Sequence, residues 1–504
     1  MTARTLVAPA TPAPAVPRRG RSVLEPAVLV AAGAAGVVVV PQPLVAVGAC
    51  LLGGLVALVW ARPATAAYLL IGVTPLVAGI DRGVAIPVFR PNEALGLLLG
   101  VTLAARWLVR LRCGHVRLVR PDAVELSILL LAVTNSVTPL LVMGVRGREI
   151  TTDDLLYSLV MWKLVGVYLI VRASVRTDRQ VRTCLLVSVA AACLVAAVGI
   201  LQGLDLLGVR ALLAQYYAQF GDVASITAVP RGGSTLSLPA ATADLMIMNI
   251  AIATGLWLRA RRRLPLLFGA IIGLLVFATL AAGEFSSAIG LVVGIAALAL
   301  VTGSAALVGW FFLLGTGGAV AVWPVIAERL EGFSLASGMP TSWVVRLYNL
   351  RTYFLPELTS HGNVLLGVRP GARVPVAGQA TGWVWIESGY LWLLWGGGIP
   401  LLASFVLFTW VTAVRGWKVA RSRPDAVGAA GTAAFVGVVV IAVLMAFDPH
   451  LTYRGSADEA FALIALTAVA ARRRPGLAGS HPPGLRRHGE RGRQQPDGRL
   501  QNRR

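Results

Sequence analysis

Arginine is the residue whose placement in this sequence most invites chemistry. Arg231, Arg346, Arg351, Arg369 and Arg373 fall in two long polar intervals, one containing "AVPRGGSTLSLPAA", the other "TSWVVRLYNLRTYFLPEL" and "LLGVRPGARVPVAGQATG". A guanidinium presents a planar fork of donors that matches phosphate oxygens two at a time. Several forks converging on one cavity would hold a diphosphate and stabilise it as a leaving group. The bland alternative for each is a surface arginine paired to an acid or touching a lipid headgroup. Glu387, in "GWVWIESGYLWLLWGGGIPLL", is a carboxylate set among aromatic rings where an apolar run begins. Desolvation at such a boundary raises a carboxyl pKa, and a carboxylate so poised can take the proton of an attacking hydroxyl. Its alternative is an acid at a helix N-terminus, favoured by the macrodipole. Glu284, in the turn "AAGEFSSAIG", is a second carboxylate suited to the same task. Lys163 lies inside the apolar "LLYSLVMWKLVGVYLIV". A charge at that depth costs roughly 2.5–3.5 kcal/mol on insertion scales, so it faces a cavity or partner, or snorkels to the nearer surface. His361, the one histidine of the longer interval, is read as incidental.

The elements that must hold these residues are membrane spans. Of 504 residues, 57% are hydrophobic and only 13% charged, with a mean hydropathy of +0.75. Apolar windows long enough to cross a roughly 30 Å hydrocarbon core recur along the chain. Backbone groups in lipid must be satisfied internally, so the windows are helices. Candidate spans are 24–40, 43–60, 64–80, 92–109, 123–143, 156–172, 183–203, 239–258, 264–281, 287–303, 305–325, 386–414, 426–446 and 456–471. The expected fold is therefore an all-α polytopic bundle of about 12–14 spans, residues 24–471, with one large extracytoplasmic loop containing short helices. Residues 1–23 and the basic tail 472–504 read as disordered cytoplasmic ends, and the first helix as uncleaved.

The net charge of +22 is spread in short Arg clusters between apolar windows, which is how membrane topology is encoded and not a nucleic-acid footprint. With the N-terminus inside, the clusters at 18–21, 62, 110–120, 172–182, 259–263, 415–423 and 472–474 all fall inside. Most acids of the connections (Asp81, Glu149, Asp153, Asp154, Asp205, Asp222, Glu328, Glu331, Glu357, Asp448) then fall outside, as do the intervals 204–238 and 326–385. Both termini are expected in the cytoplasm. The four cysteines form no CxxC pair, so neither a disulfide framework nor a zinc site is implied, and the pattern calls for no metal or cofactor.

The order of these pieces resembles a known family. A span with a buried Lys is followed by one ending "GILQGL", then "RGGSTLSLPAATADLMIMNIAIA", the turn "AAGEFSSAIGLVVG", the loop "VVRLYNLRTYFLPELTSHGNVLLGV" and "ESGYLWLLWGGGIPLL". Over roughly residues 90–450 this is similar to the O-antigen ligase and O-antigen polymerase family of bacterial membrane glycosyltransferases. The resemblance implies an undecaprenyl-diphosphate-linked glycan donor and a glycan or glycolipid acceptor. It also implies a site built from the large periplasmic loop and outer helix ends of the cytoplasmic membrane, with external arginines on the diphosphate. Arg231 matches the Arg before the family's Gly-rich turn and Arg346 the Arg opening the loop helix, while Arg351 and Lys163 join the diphosphate set. Glu387, Tyr390 and Leu391 fall on an "HN-x-YL"-like motif, with Glu387 where ligases carry the His that activates the acceptor. The Ser-Arg of the family's short turn is also replaced here, within "GEFSSA". These departures favour a polymerase or general polysaccharide transferase over a strict lipid A–core ligase.

A transporter or flippase of lipid-linked glycans is the alternative, and an assembly scaffold a third reading. A transporter calls for internal repeats and for charge at span centres. The sequence shows no repeat, and its spans read as nearly charge-free at their centres. The topology yields a direct expectation: in a Cys-free background, a cysteine placed at Ser360 reacts with a membrane-impermeant thiol reagent in intact cells. Protection of that cysteine until the cells are broken inverts the orientation.

Overall fold

The computed structural model describes residues 43–86, 89–114, 121–217, 231–260, 264–331, 333–334, 338–377 and 382–469. The proposed span 24–40, residues 218–230 of the interval 204–238, and both termini lie outside them. In chain order the main helices are α1 (Pro43–Ala61), α2 (Ala64–Val77), α3 (Pro91–Arg112), α4 (Ala123–Val145), α5 (Thr152–Ser158), α6 (Val160–Ser174), α7 (Asp178–Gly203) and α8 (Val209–Tyr216). They continue with α9 (Pro239–Arg259), α10 (Pro265–Ala281), α11 (Phe285–Thr302), α12 (Ala306–Ala321), α13 (Trp323–Glu331), α14 (Thr341–Asn349), α15 (Gly389–Ser422), α16 (Ala426–Leu444) and α17 (Ser456–Thr467). Among the described residues, eight helices, counting α5 and α6 as one, are long and apolar enough to cross a membrane, and four shorter ones are apolar. The protein is a helical membrane bundle.

Local chemistry sets the helix starts. Proline opens α3, α9 and α10, where its missing N–H has no intrahelical acceptor to lose. Reciprocal Asp122–Glu125 and Thr177–Gln180 capping bonds begin α4 and α7. The predicted span 156–172 is instead two pieces, α5 and α6, interrupted at Leu159. α9 and α16 form the centre and are almost wholly buried. Around them, α15 packs on α16 and α4, α10 on α9, α11 on α16, and α17 on α6 and α16. Peripheral helices turn apolar side chains outward, among them Leu51, Trp310, Phe312 and Leu313, the surface a lipid solvent accepts.

One sequence expectation is extended and one corrected. The interval between α12 and α15 contains strands besides short helices. It holds two antiparallel hairpins, β1 (Phe333–Ser334) with β2 (Met339–Pro340), and β3 (Arg373–Pro375) with β4 (Trp383–Trp385). The helices are also not free of interior charge, since Asp154, Asp244, Asp458 and Glu459 are all buried on them. Each is partnered: Lys163 Nζ reaches the Asp458 carboxylate at 2.9 Å, and Ser188 Oγ lies 2.7 Å from both Glu459 Oε1 and Asn249 Oδ1. Polar partners from neighbouring helices make such residues tolerable, and they are invisible to a reading of one span at a time.

The long interval is stapled to the bundle. Arg148 pairs with Glu357 at 3.0 Å, and Arg146 donates to Asn363 and to the His361 carbonyl. Arg369 grips Asp154 through two bonds, 2.5 and 2.9 Å, while the Gly371 N–H donates to the same carboxylate at 3.0 Å. The "WGGGIP" break in α15 has a steric cause. Gly398 has φ +65°, and a Cβ there would lie 2.5 Å from the Leu365 carbonyl oxygen, so only glycine lets the loop backbone pack against the helix. We expect Arg369→Ala to lower stability by about 3 kcal/mol, because it takes the cationic partner from the fully buried Asp154 carboxylate and leaves it only the neutral Thr151 and Gly371 donors. The double variant with Asp154→Asn should recover much of that loss in a thermal-unfolding assay. An unchanged melting temperature for the single variant would contradict this role.

Candidate functional site

At the end of the bundle carrying the long interval, four separate elements bring charged side chains together. α14 contributes Arg346. Its Trp343, three residues earlier and so on the same helix face, sits between two rings, Phe285 at 6.3 Å and Phe447 at 5.4 Å. That clasp holds α14 across the bundle end, with Arg346 directed at the residues flanking those two phenylalanines. Arg346 Nη1 lies 3.0 Å from Asp448, next to Phe447, and its Nε lies 3.3 Å from Glu387. Glu387 precedes Ser388, whose hydroxyl caps α15. Glu284, next to Phe285, sits at the start of α11 and interacts electrostatically with Arg346, Glu387 and Asp448.

Arg231 completes the group. The "RGGS" turn is tucked between α7 and the end of α10: the Gly232 N–H donates to the Ala281 carbonyl at 3.0 Å, and a Cβ on Gly232 would lie 2.7 Å from the Gly199 oxygen. The tight fit leaves Arg231 Nη1 3.9 Å from Glu284, the outer limit of an ion pair.

Electrostatics distinguish these groups. Asp448 is nearly sealed from solvent, and burial pushes its carboxyl up to about 6 despite the opposing pull of Arg346 and His450. Burial also raises Glu387, with Arg346 only partly countering it. Burial works to lower Arg346, but Asp448 and Glu387 prevail and hold it above its ordinary value. Beneath Asp448, His450 Nδ1 meets Asp244 Oδ2 at 2.7 Å, both groups buried. Burial alone would lower the imidazole, and the Asp244 carboxylate reverses that and holds it above the usual histidine range. The result is a descending line of groups, Glu387, Arg346, Asp448, His450 and Asp244, from the open end into the bundle.

The sequence-predicted residues therefore separate. Arg346, Glu387, Arg231 and Glu284 come together. Lys163 does not join them; its ammonium is taken by Asp458 inside the bundle. Arg351 stands exposed in a π-helical turn, Leu350–Phe354. Arg369 is committed to Asp154, and His361 is an exposed, left-handed turn residue with φ +47°. Tyr390 donates its hydroxyl to the Ala442 carbonyl at 2.6 Å, so it fixes α15 to α16 and leaves the acid–base work to others. Nor do the arginines form a bare cationic pocket, because acids lie between them. Asp448, His450 and Asp244 were missed as site residues. The signal existed in "AFDPHLTY" and in one aspartate inside "ATADLMIMNI", but nothing local joins two segments about 200 residues apart.

Comparisons of the chain with family models, with curated proteins and with solved structures give no match.

The linkage of Asp448 has a definite sign. Its carboxyl is raised from 3.8 to about 6 in the folded chain, so folding binds a proton between those values and the associated stability, on the order of 3 kcal/mol, is lost as pH rises through about 6. We expect the melting temperature to fall from pH 4 toward pH 6.5 by more in the unsubstituted chain than in Asp448→Asn. Identical slopes in the two proteins would remove Asp448 as the titrating group.

Proposed function

We propose that this chain is a membrane glycosyltransferase. It passes a glycan from a polyprenyl-diphosphate-linked donor to a hydroxyl of a glycan or glycolipid acceptor, at the outer face of a bacterial cytoplasmic membrane. The observation that carries the reading is the contact of Arg346 with Glu387 and Asp448, with Arg231 and Glu284 beside them. A fork of donors suited to phosphate and a carboxylate suited to a proton lie within one side-chain length of each other. The side of the membrane follows from the arginine asymmetry of the connections, and the resemblance to the O-antigen ligase and polymerase family points the same way.

The chemistry assigned to the residues is simple. The acceptor oxygen attacks the anomeric carbon, the bond from that carbon to the diphosphate oxygen breaks, and the diphosphate leaves with the electron pair. Arg346 and Arg231 take the developing charge on the phosphate oxygens. Glu387 accepts the hydroxyl proton. In the resting site Arg346 is held by the two carboxylates. An arriving diphosphate competes for its donors and releases Glu387 to act as a base. Asp448, with its carboxyl near 6, keeps part of the grip on Arg346 or gives it up by taking a proton. Glutamate in place of the ligases' histidine favours polymerisation of repeat units over attachment to a lipid core.

Transport of lipid-linked glycans remains the second reading, and the buried His450–Asp244 pair and Glu459 favour it, because charge inside a bundle is what a transport path uses. Glycan transfer by purified chain with lipid-linked donor separates the two. Glu387→Gln should reduce transfer by about 10²–10⁴-fold with normal membrane insertion. Arg346→Lys should lose most activity too, since a point charge does not reproduce the bidentate fork. Near-normal product from both variants would exclude this assignment.

A further inference from the structure

Two residues upstream of Glu387 lies a group of side chains with no part in the proton or phosphate chemistry. In the β3–β4 hairpin, Arg373 pairs with Trp385, Val374 with Val384 and Pro375 with Trp383. Alternate residues of a strand share a face. Val384 is buried toward the bundle, which leaves Trp383 and Trp385 on the opposite face, both half-buried. Their rings are 6.4 Å apart at 67°, and Tyr157 of α5 adds a third ring 5.6 Å from Trp385. The Arg373 guanidinium lies 4.3 Å over the Trp383 ring and 5.8 Å from that of Trp385. The Arg373 side chain is partly exposed, and the Asp153 carboxylate is 4.0 Å away, the outer limit of an ion pair.

We propose that Trp383, Trp385 and Arg373 form a glycan subsite, which takes the pyranose rings next to the one that reacts at Glu387. An indole face is a broad apolar plate edged by polar atoms. The axial C–H face of a pyranose matches it, while the sugar's rim of hydroxyls, or a carboxylate on an acidic sugar, needs donors at the plate's edge. Arg373, stacked over one face of Trp383 and partly exposed, borders the plates and supplies them. The direction is set by the chain itself: the Ile386 N–H donates to the Ala372 carbonyl at 3.2 Å, continuing the ladder past β4. Trp383, Trp385 and Glu387 thus follow one another at alternate positions, about 6.6 Å apart per pair of residues. A glycan lying along this line runs from the aromatic plates to the carboxylate. The position of the reacting ring rests on the proposed transferase reading, whereas glycan binding at the tryptophans does not.

The test uses the full chain in phosphatidylglycerol–phosphatidylethanolamine nanodiscs, with two probes, the neutral isomaltohexaose and the uronate-containing hyaluronan hexasaccharide. Saturation-transfer NMR should show ring-proton signals from at least one probe. Trp383→Ala and Trp385→Ala should each weaken binding roughly tenfold, equivalent to about 1.4 kcal/mol. Trp383→Phe, which keeps a ring, should retain most of it. Trp310→Ala, on the lipid-facing surface of α12, should change nothing. Absence of transfer from both probes, or binding indifferent to both alanine variants, overturns the subsite and leaves the tryptophans as membrane-interface anchors. Trp-dependent binding in a chain that transfers no glycan from a lipid-linked donor keeps the subsite and removes the transferase reading. Loss of transfer in Glu387→Gln without Trp-dependent binding does the reverse.

Discussion

Arg346 is a charge carried on a short loop helix and pressed against two carboxylates from different parts of the chain. A guanidinium withdrawn from water needs compensation nearby, and so does each carboxylate; none of the three is stable there alone. The rest of the bundle end follows from this mutual need. The Phe285–Trp343–Phe447 clasp holds α14 where the pairing can form. The Asp448 turn packs deep enough for its carboxyl to be raised, and Ser388 caps α15 so that Glu387 sits just before the helix begins. In the function proposed above, an incoming anion exchanges partners with Arg346, and a proton acceptor is freed as the phosphate is bound.

The same constraint continues inward. His450 Nδ1 pairs with Asp244 Oδ2 beneath Asp448, and further along the bundle Ser188 meets both Asn249 of α9 and Glu459 of α17. Asp244 and Asn249 sit on the central helix α9 among mostly apolar side chains. In a lipid solvent such pairs fix how helices rotate and slide against each other, since a misregistered helix would leave a buried carboxyl without a partner. That gives the interior polar groups a structural reason to exist, and it gives the surface site a rigid base.

The long interval between α12 and α15 is held by chemistry of the same kind. Arg148, Arg146 and Asp154 at the ends of α4 and α5 take hold of Glu357, Asn363 and Arg369. The glycine break in α15 admits the loop backbone. Of the five arginines marked by sequence in the two intervals, one is therefore a staple, one lies over an indole, two face the carboxylates, and Arg351 stands exposed. A single residue type performs three tasks because the guanidinium combines charge, planarity and several donors.

The sequence by itself determined the class of the protein and the existence of nearly all its described helices, because the lipid solvent demands long apolar runs and punishes unsatisfied backbone. It also marked Arg346, Glu387, Arg231 and Glu284, since charge beside apolar spans stands out in one dimension. Tertiary structure alone decided which of the marked residues meet. Lys163 was read as a diphosphate ligand, and its partner Asp458 lies 295 residues away; Asp448 and His450 looked like ordinary connection residues until folding set them against Arg346 and Asp244. Ion pairing acts through space at about 3 Å, and no local pattern records which distant segment will supply the opposite charge. The hairpin bearing Trp383 and Trp385 escaped for a related reason. Three-residue strands carry too little periodicity to read, and they form because Arg369, Gly371 and Asp154 hold the flanking chain in place.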